Sequence, residues 1–137
     1  MSMHEFNSAM QYIHPPLAIT GYVFIFLFAA LLSFNRYKEK KFTGFFGLMA
    51  WLFTFSGLIS GIIWAQVAWG SYWSWDPKET LTLLLFITVS FSLATYHEQK
   101  KIAKWITLIA CFLSIITILI SFIITGLHSF IWKLWEQ

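Results

Sequence analysis

Four apolar runs decide what this chain can fold into. Residues 17–35 (LAITGYVFIFLFAALLSFN), 42–64 (FTGFFGLMAWLFTFSGLISGIIW), 81–96 (LTLLLFITVSFSLATY) and 105–127 (WITLIACFLSIITILISFIITGL) contain no charged residue. Each approaches or exceeds the roughly 20 residues needed to cross a hydrocarbon core. Lipid offers the backbone no hydrogen-bond partner, so runs of this kind must close their bonds internally as helices. The chain is 58% hydrophobic and 11% charged, whereas a soluble domain is charged at about one residue in four. The expected fold is an all-α integral membrane protein, a four-helix transmembrane bundle in a single membrane domain over residues 1–137. An external tryptophan-rich loop or surface helix at 65–80 is expected to join its second and third helices. The first 16 residues lack a basic region and a small-residue cleavage site, so the first helix is expected to stay in the membrane.

The charges lie between the runs. Arg36, Lys38, Lys40 and Lys41 join the first two, and Lys100, Lys101 and Lys104 join the last two. Short basic connections stay in the cytoplasm, which puts both termini and the 65–80 connection outside. The net charge of +3 is then a topology signal, and the expected partner surface is the lipid bilayer and no nucleic acid. Cys111, the single cysteine, excludes an internal disulfide or a CxxC pair. Phosphate-loop, dinucleotide, zinc-protease and serine-hydrolase motifs are absent.

His14 precedes Pro15 and Pro16, and proline suits a first helical turn; His14 is therefore expected just outside the first helix. His128 is expected to end the fourth. The alternation of spans puts both histidines on the same side as the tryptophan connection, with His97 opposite and His4 near the N-terminus. Two neutral imidazoles can supply both axial ligands of a haem iron, and flat aromatic rings suit a planar apolar ligand. Trp69, Trp73 and Trp75 are the candidate walls, the first two sharing a face if that piece is helical. Plainer readings stand beside this one. A histidine at a helix end serves as a cap or dipole partner, tryptophans form interfacial belts without any ligand, and Gly57 and Gly61 have the spacing of helix packing. Asp76 or Thr80 suits an N-cap of the third helix. Asp76 and Glu79 lack a partnered nucleophile, so no catalytic residue is assigned. A b-type haem electron-transfer subunit and a non-haem membrane interaction protein are the alternative functions.

The segment WGSYWSWDPKET (residues 69–80) closely resembles the tryptophan-rich signature of the cytochrome c assembly family, haem-handling membrane proteins of cytochrome c biogenesis. The similarity covers about residues 13–130 and is strongest to the CcsA-type membrane core. The resemblance implies haem contact by Trp69, Tyr72, Trp73, Trp75 and Asp76. It implies axial ligation by His128, within Gly126-Leu127-His128-Ser129, and by His14, within His-Pro-Pro. It implies haem b bound as substrate and presented at the outer face for attachment to CxxCH segments of apocytochrome c, by a component of a cytochrome c haem lyase in the bacterial inner membrane rather than the thylakoid. Familiar members carry further membrane helices with histidines for the cytoplasmic side, so a second membrane subunit is an expected partner.

The charge pattern makes a direct prediction. On a Cys111→Ala background, a thiol introduced at Ser71 should react with a membrane-impermeant maleimide on intact cells, and one at Lys101 only after permeabilisation. The reverse pattern would invert the assigned topology.

Overall fold

The computed structural model describes the backbone of residues 3–34 and 40–135, and the side chains of residues 9, 12–34, 41–67 and 70–123. Four helices follow in order: α1 (Met3–Ser33), α2 (Lys40–Trp69), α3 (Pro77–Tyr96) and α4 (Lys100–Trp135). Each contains a stretch long and apolar enough to cross a membrane: Tyr12–Ser33, Lys41–Val67, Pro77–Tyr96 and Lys100–Ile123. The protein is an all-α four-helix bundle of membrane-spanning type.

Among the helix ends that differ from the sequence expectation, two carry the candidate histidines. α1 does not begin at Pro16; Pro15 and Pro16 lie inside it, and so does His14. Interior prolines remove donors for the carbonyls four residues earlier, a loss that membrane helices tolerate when neighbouring groups compensate. The helix resumes at once, with the Thr20 hydroxyl donating to the Pro16 carbonyl at 2.7 Å. α4 likewise does not end at His128 but continues to Trp135, since no proline follows Gly126 to break it. The His128 side chain lies outside the described residues.

Successive helices run antiparallel. α1 packs on α2 and α4, and α3 packs on the same two. The α1–α2 seam depends on glycine. A Cβ at Gly21 would lie 3.3 Å from the Thr54 nitrogen, one at Gly57 3.5 Å from the Ala18 Cα, and one at Gly47 2.9 Å from the Phe28 ring. Small residues let membrane helices approach closely, where dispersion supplies much of the association energy. Ile25, Ala29, Ala50, Leu85, Val89, Ala110 and Cys111 bring all four helices into one core layer. Phe28, Tyr96 and Ala103 form a second cluster towards the 97–99 turn.

Hydroxyls tie the helices together. Trp51 Nε1 donates to Ser90 Oγ at 2.9 Å, and the buried Ser92 and Thr107 hydroxyls are hydrogen-bonded to each other. Such interhelical bonds contribute about 0.6 kcal/mol each in a membrane protein. Large apolar side chains such as Phe45, Phe91 and Phe112 face outward, as a bundle with lipid for its solvent requires.

Gly47 offers the clearest test of the seam. Gly47→Val would push into Phe28 and Leu93, whose atoms lie within 3.2 Å of the position of a Cβ. We expect it to cost about 1–3 kcal/mol, measured as a lower unfolding midpoint in detergent than for Gly44→Ala, where the nearest atom is 3.5 Å away.

Candidate functional site

The tryptophan-rich segment is mainly a short irregular connection between two helix ends. α2 continues through Trp69 and stops at Gly70, whose φ of +75° is the left-handed conformation that glycine adopts without strain. The Gly70 N–H bonds back to the Gln66 carbonyl at 2.9 Å, closing the helix with an αL stop. Residues 70–76 are not helical, so Trp69 and Trp73 do not share a helix face. The Trp69 side chain lies outside the described residues.

The far end is a helix start built from Asp76-Pro77-Lys78-Glu79. Asp76 is the N-cap, with Pro77 in the first turn. Its Oδ1 accepts from the Glu79 N–H at 2.7 Å, and Glu79 Oε2 accepts from the Ser74 N–H at 2.8 Å. This resembles a capping box whose return bond reaches two residues further upstream. Thr80 is not the cap; its N–H makes the first bond of the helix, to the Asp76 carbonyl at 3.0 Å. Between these anchors, Trp75 has a φ of +59°, a conformation costing a bulky residue about 1–2 kcal/mol.

This connection and the α1–α2 seam enclose a cavity of about 390 Å³, within the range of small-ligand sites. Its apolar wall includes Gly57, Leu58 and Ile62, its aromatic wall Trp64, Tyr72 and Trp73, and its polar rim Asp76, Lys78 and Glu79. His14 reaches it from α1. The imidazole lies on Gly61, where a Cβ would fall 3.0 Å from His14 Cε1, and its centroid is 5.7 Å from that of Trp64. His14 Nδ1 is 2.9 Å from Ser60 Oγ.

Of the residues expected from sequence, His14, Tyr72, Trp73 and Asp76 therefore share one cavity. Trp75 does not line it; its side chain is 69% exposed and meets Trp73 edge to face, with centroids 5.5 Å apart. Trp73 Nε1 is buried without a hydrogen-bond partner among the described residues, the kind of orphaned donor that a ligand acceptor would satisfy. Ser60, Gly61 and Trp64 were not expected as site residues. Gly61 was read as packing, and its lack of a Cβ is what admits His14. Among the described residues, no three His, Cys, Asp or Glu side chains gather as a metal cluster. Haem iron takes histidine ligands and its ring takes flat apolar surroundings; among the described residues this cavity supplies one imidazole, His14, and an aromatic wall.

A polytopic helical membrane protein with a histidine set in an aromatic cavity at one end of the bundle is the class defined by this fold and site. The chain belongs to the cytochrome c assembly protein family, whose model matches residues 1–131. It is 39% identical over 85 residues to the cytochrome c biogenesis protein CcsA of Adiantum capillus-veneris, covering 56% of this chain and 25% of that protein. It is 44% identical over 84 residues to CcsA of Gloeobacter violaceus, covering 56% of this chain and 24% of that protein. The cytochrome c-type biogenesis protein NrfE of Haemophilus influenzae is 33% identical over 134 residues, covering 85% of this chain and 21% of that protein. The chain thus spans about a quarter of the length of these relatives. No solved structure matches.

The cap makes a test separable from ligand binding. Asp76→Ala should cost about 1 kcal/mol, read as a lower unfolding midpoint in detergent, while Asp76→Asn should stay near wild type because asparagine caps equally well. Equal losses in both would mean that the carboxylate charge matters more than the cap.

Proposed function

We propose that this chain binds haem as cargo in the His14 cavity and presents it, at the outer face of a bacterial cytoplasmic membrane, for covalent attachment to apocytochrome c. The observation that carries this reading is the convergence of His14 with Tyr72, Trp73 and Trp64 on one apolar cavity. Membership of the cytochrome c assembly family supports it.

On this reading His14 and His128, the latter in the C-terminal part of α4, would hold the haem iron. The aromatic wall would hold the flat ring, and Lys78, the cation of a rim shared with Asp76 and Glu79, could pair with a haem carboxylate. When bound, haem supplies the vinyl groups across which the S–H bonds of a CxxCH segment add. Each sulfur becomes bonded to one vinyl carbon and its proton to the neighbouring carbon, so no cysteine of this chain is consumed. Cys111 is buried within α4, away from that chemistry. The chain's own residues ligate and orient the cargo and keep one edge accessible to the partner. A second membrane subunit completes the assembly in this proposal.

Purified in detergent after expression with ample haem, the wild type should show a six-coordinate spectrum. His14→Ala and His128→Ala should each lose it, with at least about a tenfold loss in haem affinity, the scale of disturbed metal ligation. An unchanged spectrum in His14→Ala would overturn the assignment of this cavity.

A further inference from the structure

We infer that Ser60 is a positioning residue that fixes the tautomer of His14, holding the proton on Nδ1 and leaving Nε2 as the electron-pair donor. Two contacts carry the argument. Ser60 Oγ lies 3.0 Å from the Gly57 carbonyl oxygen, which can only accept, so in that contact the single hydroxyl proton of Ser60 is the one donated. The same Oγ lies 2.9 Å from His14 Nδ1. With its proton used in that way, the hydroxyl meets the ring as an acceptor, the arrangement that places the proton of the neutral imidazole on Nδ1. On this inference His14 Nδ1–H donates to Ser60 Oγ, and Ser60 Oγ–H donates to the Gly57 carbonyl.

Three features give this short relay a defined geometry. Ser60 is buried, at 6% exposure, so water does not readily replace it. Gly61 lets the imidazole lie against α2, with Cε1 3.0 Å from the position of an added Cβ. Trp64 stands one turn further along α2, its ring tilted 46° to the imidazole. The histidine is thus oriented by consecutive turns of a single helix. An imidazole whose second nitrogen is engaged in this way has its tautomer and ring direction selected before any metal arrives. The role of Nε2 as an iron ligand rests on the proposed haem function; the tautomer does not.

The first test therefore needs no haem. In the full chain purified in detergent with 15N-labelled histidine, at about pH 8 where imidazole is neutral, the His14 signals are assigned by their loss in His14→Asn. We expect a protonated Nδ1 and an unprotonated Nε2 in the wild type. Ser60→Thr should retain this pattern, and Ser60→Ala should move it towards the Nε2–H form or an average of the two. A wild-type His14 protonated on Nε2, or a Ser60→Ala pattern identical to wild type, overturns the inference.

Haem titration then separates the two readings. Ser60→Ala should weaken haem about 10–100-fold, the usual effect of removing a partner of a metal-bound histidine, with Ser60→Thr restoring most of the affinity. If Ser60→Ala changes the tautomer while His14→Asn binds haem as wild type does, the cavity assignment fails and the tautomer stands. If His14→Asn loses haem while Ser60→Ala binds it as wild type does, the cavity assignment stands and the positioning role fails.

Discussion

The close antiparallel seam of α1 and α2 is the constraint on which the rest depends. Its contacts pair 14 with 61, 18 with 57, 21 with 54 and 28 with 47; any step along α1 is matched by the same step back along α2. A membrane bundle cannot rely on water to drive its helices together, because lipid is as apolar as the side chains. Contact therefore has to come from shape, and glycine permits the shortest approach. The same register that seats Phe28 on Gly47 towards the basic connection seats His14 on Gly61 near the opposite end of the seam. Packing and site are one geometry: a change that pried the helices apart would also withdraw the imidazole from Ser60.

The aromatic connection depends on that frame in a different way. Both its ends are fixed by local chemistry, an αL stop at Gly70 and a cap formed by Asp76 and Glu79. Between them only a few residues span the gap, and Trp75 adopts a positive φ that the two anchored ends hold in place. With that turn at Trp75, Trp73 faces the cavity and Trp75 is exposed. Neighbouring tryptophans that composition alone makes equivalent thus acquire separate environments.

These differences explain what was legible in the sequence. The four spans were plain because charge-free runs have no alternative in lipid. The N-cap was legible only as a choice between Asp76 and Thr80, and the bonds of Glu79 to Asp76 and Ser74 settle it on Asp76. The start of α1 was misread because Pro15-Pro16 favours a helix beginning, yet α1 already runs from Met3. Packing of His14 against α2 offsets that local preference, and local sequence does not show packing. Ser60 was missed for the same reason. It lies 46 residues from His14, and nothing near either residue announces the other. A signal did exist: counting equal distances outward from the basic connection at 36–41 brings position 14 opposite position 63, within one helical turn of Ser60 and Gly61. Using it requires a commitment to a straight antiparallel hairpin through a pair of prolines.

The position of the cavity bears on how cargo would leave it. A site deep between four helices would require the bundle to part, breaking ties such as Trp51–Ser90 and Ser92–Thr107. This cavity lies at the end of the α1–α2 seam, closed on one side by an irregular connection that contributes nothing to the central core cluster. Its inner wall is held by helix packing and its outer wall by two caps and a few loop residues. On the proposed reading that asymmetry is functional. The rigid side keeps the imidazole oriented, while the side facing a partner polypeptide can yield locally, leaving the helix contacts intact.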